Sequence, residues 1–212
     1  MQQPTIQSYA AISTNKSWLD GKVFAENSGN ESIDNWLRLL YEKTKLNYPK
    51  FFKMDNLSKM ALLAMEMINA ESKSTIEISP FKKSIFLANK SSSKKTDELF
   101  LKSCKSIASP SLFVYTLPSI CIGEVCIKHK IKGPNSFLVA EKFDPTFFID
   151  YTNSLFKKNK TEECYIGWVE NDGNEIACFL YKTNDNTNGI GEHNLQNIQH
   201  ILNIINDGTV NF

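Results

Sequence analysis

An α/β chain built on one mixed sheet is what the sequence predicts, and three observations carry that reading. Short runs rich in β-branched, apolar and aromatic residues recur at 5–13, 84–88, 136–141, 164–170 and 175–182. Segments of helical period stand between them, the clearest at 55–69 and 118–130. Strands and helices alternate through the middle of the chain, the pattern of helices layered on a sheet. The expectation is one mixed sheet of five strands with packed helices.

The bulk composition allows such a core and excludes several classes of protein. The chain has 212 residues, 42% hydrophobic and 22% charged, which suffices for one large domain or a domain with an appendage. Lys and Arg total 24 against 23 Asp and Glu, a formal net charge of +1. A nucleic-acid binder would carry a basic surplus, so none is expected as partner. The five Cys (104, 121, 126, 164 and 178) are odd in number and lack paired spacing. They read as reduced, mostly buried thiols of a cytoplasmic protein. "MQQPTIQSYAAIS" has neither a basic start nor a long apolar stretch, and no segment approaches the roughly 20 apolar residues of a membrane span.

The elements follow in order. Residues 5–13 are the first strand, and the polar stretch from there to residue 30 reads as loop. "SIDNWLRLLYEK" places Trp36, Leu37, Leu39 and Leu40 at near-helical spacing behind Ser32, a candidate N-cap. In "MDNLSKMALLAMEMINA", Asp55 is a natural N-cap, and Leu57, Met60, Ala61, Ala64, Met67 and Ile68 share a face. Its methionines suit core packing better than a ligand groove. "SIFLAN" is a strand, and a loop carrying Lys90, Lys94 and Lys95 then leads to a helix capped by Thr96. That lysine cluster reads as a solvated loop, with docking of an acidic partner as the alternative.

From Pro118 a helix runs to about Lys130, with Ile120, Gly123, Glu124 and Ile127 along one side and Gly133-Pro134 to stop it. "SFLVAE" is the next strand. A helix from Pro145 to Lys157 follows, Pro suiting a first helical turn. "CYIGWVE" and "EIACFLYK" form a hairpin turned by "NDGN". "TNDNTNGIG" has linker composition, and "EHNLQNIQHILNIIN" is an amphipathic helix with Leu195, Ile198, Leu202 and Ile205 on one face. The chain thus divides into a sheet domain, 1–182, and a linker plus terminal helix, 183–212.

The candidate chemical sites are thin. Cys126 and His129 stand at metal-compatible spacing, but two ligands do not make a site, so no metal is expected. His193 and His200 lie seven apart and read as one solvated helix face. "NGIG" lacks the Lys-Ser/Thr of a phosphate loop, and no cofactor is expected. Glu141, Asp144 and Asp150 flank a helix start, where carboxylates belong for dipole reasons alone.

One run is more specific. "ASPSLFVYTLPSICIGEVCIKHKIKGPNSFLVAE", residues 108–141, resembles the N-terminal half of a beta-ketoacyl synthase of the thiolase-like fold. That family carries a "P…F…P-N…G…I…G-(L/I)-x-G-P" run that enters a helix, leaves through the Gly-Pro and climbs a strand to the active Cys. Pro110, Phe113, Pro118, Gly123, Ile127, Gly133 and Pro134 occupy those places, with Ser119 where Asn is common. "FFKMDNLSKMALLAMEMI" is similar to the family's Met-Asp helix. "ASPSLFVYTLP" with "GE" after it is closer still to a short ketosynthase-like group of Bacteroidetes associated with aryl-polyene and flexirubin pigment clusters, and the resemblance covers roughly residues 50–182.

The resemblance implies half of a thiolase-like fold, and it also implies lost chemistry. Counting from Gly133-Pro134, the family's Cys falls on Lys142, in the strand-to-helix stretch "GPNSFLVAEKFDPTFF". A thiolate gains from a helix N-terminus, whereas a lysine there has no acyl-accepting role. The second half, which supplies the family's His pair or His and Asn, is expected to be absent, and His193 and His200 lack its flanking motifs. No catalytic residue is therefore assigned. The expectation is a non-catalytic partner or binding module in fatty-acid or polyketide-type biosynthesis. A full-length ketosynthase or an acyl carrier protein is the implied partner, in a homodimer or heteromer. Phe137, Leu138 and Val139 are the interface candidates, because in the family this strand pairs with its copy. The alternative is a condensing enzyme or acyltransferase that uses another nucleophile or a partner's active site.

Overall fold

The computed structural model describes residues 3–29, 31–70, 77–185 and 188–206. Eight strands form one sheet: β1 (Thr5–Ser13), β2 (Lys16–Leu19), β3 (Lys22–Glu26), β4 (Lys83–Asn89), β5 (Asn135–Val139), β6 (Glu163–Asn171), β7 (Ile176–Asn184) and β8 (Gly191–Glu192). Their order is β3-β2-β1-β7-β6-β4-β5, with β8 also on β1. β4 is parallel to β5 and to β6, and every other pairing is antiparallel. The five expected strands are all present and the sheet is mixed, but the count of five is corrected to eight.

The extra strands come mainly from residues 16–26, read above as loop. Asp20 (φ 49°) and Gly21 (φ 79°) make a left-handed two-residue turn, the geometry a tight hairpin needs. Asp20 Oδ1 also accepts the Tyr9 amide at 2.8 Å and so ties the turn to β1.

Seven helices flank the sheet: α1 (Ile33–Lys43), α2 (Asn56–Ala70), α3 (Lys94–Ser103), α4 (Pro110–Val114), α5 (Ser119–His129), α6 (Pro145–Lys157) and α7 (Leu195–Ile205). On the first face, α1, α2 and α5 pack on Ala10, Ile12, Ile85, Leu87, Val169 and Leu180 of the sheet. Ten of the fifteen residues of α2 are buried between the sheet and its helical neighbours. On the second face, α6 and α7 cover Ile6, Tyr9, Phe86, Ile166, Phe179 and Tyr181. The sheet is therefore the middle layer of three.

Several helix expectations change in detail. Thr96 does not cap α3; it lies one turn in, and Ser93 holds the N-cap position. The buried side of α5 is Cys121, Ile122, Glu124 and Val125, and Ile127 is exposed. In α1, Leu39 is exposed while Trp36, Leu37 and Leu40 are buried. α7 buries Ile198, Ile201 and Ile205, whereas Leu195 faces out. Each shift is a rotation of the helix about its axis, which the packing partner sets and a periodic pattern leaves open. Asn186 and Thr187, within the stretch read as linker, lie outside the described residues.

Gly133 explains why the Gly-Pro stop is needed. A Cβ at that position would stand 2.4 Å from the Lys83 carbonyl oxygen, while its own N–H donates to that oxygen at 3.0 Å. Pro134 then accepts the Ile85 amide at 3.2 Å. The two residues start β5 beside β4 in register.

Candidate functional site

The parallel strands determine where a site can form. From the carboxyl end of β4 the chain leaves for the first face through α3, α4 and α5; from that of β5 it leaves for the second face through α6. Adjacent strands whose connections part in this way open a crevice between their carboxyl ends. The loop 90–93 and the elbow 140–144 border it.

The elbow is held from below. The Ala140 amide donates to the Asn89 carbonyl at 2.8 Å. Phe143 is buried, stacked on Phe148 (centroids 5.1 Å, 17°) and edge-on to Phe179 (5.8 Å, 87°). Asp144 caps α6 by accepting the Phe147 amide at 3.2 Å. With Phe143 turned in, Glu141 and Lys142 are turned out and are exposed. Lys142 stands three residues ahead of Pro145, the first residue of α6. Asp144 and the first turn of α6 lie beyond it.

The opposite lip is charged as well. Glu170, at the end of β6, accepts the backbone N–H groups of Lys90 (2.7 Å) and Ser91 (3.1 Å) through one oxygen. Lys90 Nζ lies 3.5 Å from Glu141. Sequence reading missed Glu170, since a lone Glu at a strand end carries no signal for a loop 80 residues away. This crevice presents charge.

At the same end of the sheet, on the first face, a cleft of about 480 Å³ opens between α1, α2, α3 and α4, with Asp55, Lys59, Lys95, Thr96 and Tyr115 on its walls. Asp55 caps α2 through the Ser58 amide (3.0 Å) and accepts the Thr96 hydroxyl (3.4 Å). Burial pushes its carboxyl up, against the opposing pull of Ser58, Thr96 and Lys59. Tyr115 donates to Glu124 at 3.0 Å, and Glu124 pairs with Lys50 at 2.7 Å.

The remaining candidates are placed as follows. Burial pushes the thiols of Cys121, Cys164 and Cys178 well up and that of Cys126 up to about 11. Cys104 is exposed and holds the C-cap position of α3. His129 is no lone exposed histidine: Glu66 on α2 lies 3.2 Å from its Nε2. His193 and His200 share no solvated face, because His193 precedes α7 and is fully buried. Among the motif residues, Pro110 opens α4, Phe113 is exposed with its ring 5.4 Å from Phe100, Pro118 holds the N-cap position of α5, and Gly123 faces open space. Among the described residues no group of three His, Cys, Asp or Glu is placed to hold a metal ion, and no helix is long and apolar enough to cross a membrane.

No protein-family model matches the chain, and no curated protein does. Solved structures do. The ishigamide ketosynthase/chain length factor superposes with a TM-score of 0.63 at 14% identity, over 89% of this chain and 64% of that one. The ketosynthase ApeO in complex with its chain length factor ApeC, from Xenorhabdus doucetiae, gives a TM-score of 0.56 at 10% identity, over 89% and 81%. A type II polyketide synthase acyl-carrier protein in complex with its ketosynthase bound to the hexaketide gives 0.60 at 12%, over 87% and 63%. The chain has a ketosynthase-like, thiolase-type fold. It spans a little under two thirds of the first and third of these ketosynthase-type chains.

Proposed function

We propose that this protein is a non-catalytic ketosynthase-like subunit of polyketide-type biosynthesis, of the aryl-polyene kind, that works by pairing with a ketosynthase much as a chain length factor does. The observation that carries the reading is the open edge of β5. The bonds of Pro134 and Ala140 to β4 put the even-numbered residues' backbone groups inward. Those of Asn135, Phe137 and Val139 therefore face the open side. Val139 is 59% exposed, and Phe147 and Tyr151 on α6 add a stacked, half-exposed aromatic pair. The far edge of the sheet, β3, carries Lys22 and Glu26, as a protected edge does. β5, equally short, carries no charged residue.

Lys142 supports the non-catalytic half of the reading, since an exposed amine stands where the resemblance puts the nucleophile. The alternative, acyl chemistry on another residue, finds four of the five thiols pushed up by burial. An acyl carrier protein is the second partner class compatible with the fold's relatives.

Two-fold pairing of this edge with its copy is antiparallel, and when it uses all three outward residues it is centred on Phe137. Two Cα atoms at that centre lie about 5.5 Å apart, within disulfide range. Phe137→Cys should form an intermolecular disulfide under mild oxidation, with itself or with a ketosynthase bearing Cys at its matching strand centre. Ala140→Cys, facing β4, should not. Intact-mass analysis after incubation with acyl and malonyl thioesters should show neither a covalent adduct nor decarboxylation. An adduct, or equal cross-linking at 137 and 140, overturns the proposal.

A further inference from the structure

Past Ile190 the chain returns to the sheet. β8 pairs with the start of β1 (Thr5↔Glu192, Ile6↔Gly191), and α7 then lies on the second face. His193 sits between the two, fully buried. Its backbone N–H donates to the Pro4 carbonyl at 2.8 Å. Its ring bridges two more elements: Nε2 is 3.0 Å from the Tyr181 hydroxyl on β7, and Nδ1 is 3.3 Å from Asn153 Oδ1 on α6. Asn153 Oδ1 only accepts, so Nδ1 carries the proton and Nε2 accepts from Tyr181. A second ring proton would meet the Tyr181 hydroxyl and displace that hydroxyl's own.

Among the described residues no carboxylate pairs with the ring: Asp20 on the β2–β3 turn is hydrogen-bonded to Ser8 and the Tyr9 amide, Asp150 on α6 is exposed, and burial alone shifts the imidazole. Tyr181 on β7, Cys164 on β6 and Tyr9 on β1 are pushed up by burial and neutral. Glu192 turns instead to the Asn194 side chain at 3.3 Å, and His200 is exposed. We propose that β8 and α7 form a cover that neutral His193 latches onto the second face of the sheet, and that protonating the imidazole releases this cover while the first-face core stays folded.

Burial depresses the His193 imidazole from 6.5 to about 4. A released segment takes up its proton near 6.5, whereas the docked one does so only near the lower value. Docking is thus fully favoured above pH 6.5 and weakens as pH falls through the window. The released fraction rises about tenfold per pH unit there, on the order of a hundredfold in all. Release would uncover Ile6, Tyr9 and Tyr181. The first face, built on α2, would be untouched, since its contacts to β1, β6 and β7 lie on the other side of the sheet.

Amide NMR of the full chain between pH 7.5 and 4.5 tests this. Signals of residues 191–205 should move toward unfolded positions as pH falls, while those of β4, β6 and α2 hold. His193→Gln, neutral at every pH, should keep the segment docked throughout. Ring resonances of the wild type give a second measurement that needs no variant: one of the three histidines should titrate well below 6.5, at the pH where the signals of 191–205 move. A His193 ring that titrates near 6.5 with α7 still docked, a single whole-chain transition, or an identical profile in His193→Gln overturns the latch.

Discussion

Replacing Lys182 with Met should be among the most damaging single changes to this fold, and restoring charge balance should rescue most of the loss. Lys182 Nζ lies 2.7 Å from Glu163 Oε2, with only 8% and 6% of the two side chains exposed. Glu163 Oε1 is 2.9 Å from the Tyr165 hydroxyl, which is also 3.0 Å from Asn69 Oδ1. The ammonium lies 5.6 Å from the centre of the Tyr165 ring. Removing the lysine alone leaves a carboxylate in a desolvated site, at a cost of about 3–5 kcal/mol. In a chain of this length that lowers Tm by about 6–20 °C. Lys182→Met combined with Glu163→Gln removes both charges and keeps an acceptor for Tyr165, so the double variant should lie within about 2 kcal/mol of wild type. Urea unfolding followed by far-UV circular dichroism, run as a double-mutant cycle, measures the coupling. A single variant costing less than about 1 kcal/mol, or a double variant as unstable as the sum of both singles, would refute the account of this pair.

Three further outcomes are expected. Gly133→Ala should force β5 away from β4, since the new methyl would meet the Lys83 carbonyl oxygen at 2.4 Å; a loss above about 2 kcal/mol in urea checks it. Phe143→Ala should cost about 3–5 kcal/mol and loosen the elbow, seen as faster amide exchange at residues 140–144. Lys142→Cys should give no condensing activity. Its thiol should titrate near the ordinary value of about 8.5 in peptide-resolved alkylation, because residue 142 lies ahead of the Asp144 cap rather than in the first turn of α6.

The sequence by itself determined the elements whose signals are local. α2 could be placed because Asp55 caps it and its apolar residues repeat with helical period. β1, β4, β5, β6 and β7 show as apolar runs between turn residues, and Gly133-Pro134 marks a stop. Lys142 at the elbow was legible too, by counting along a family-like run. The Asp20-Gly21 turn was equally local and would have revealed β2 and β3, had the pair been weighed as a hairpin signal. Only the tertiary structure decided what depends on residues far apart in the chain. Glu170 meets the amides of Lys90 and Ser91 across 80 positions, and Lys182 meets Glu163 only because β6 and β7 fold into register. His193 looked like a surface residue beside an amphipathic helix, yet the return of β8 to β1 carries it under α6 and against Tyr181. Helix rotation belongs to the same class: Ile201 rather than Leu195 faces the core because the sheet chooses which stripe it buries. Capping, turn preference and periodicity act within a few residues and are written in order along the chain. Burial and charge pairing act through space, so they exist only once the sheet has brought their partners together.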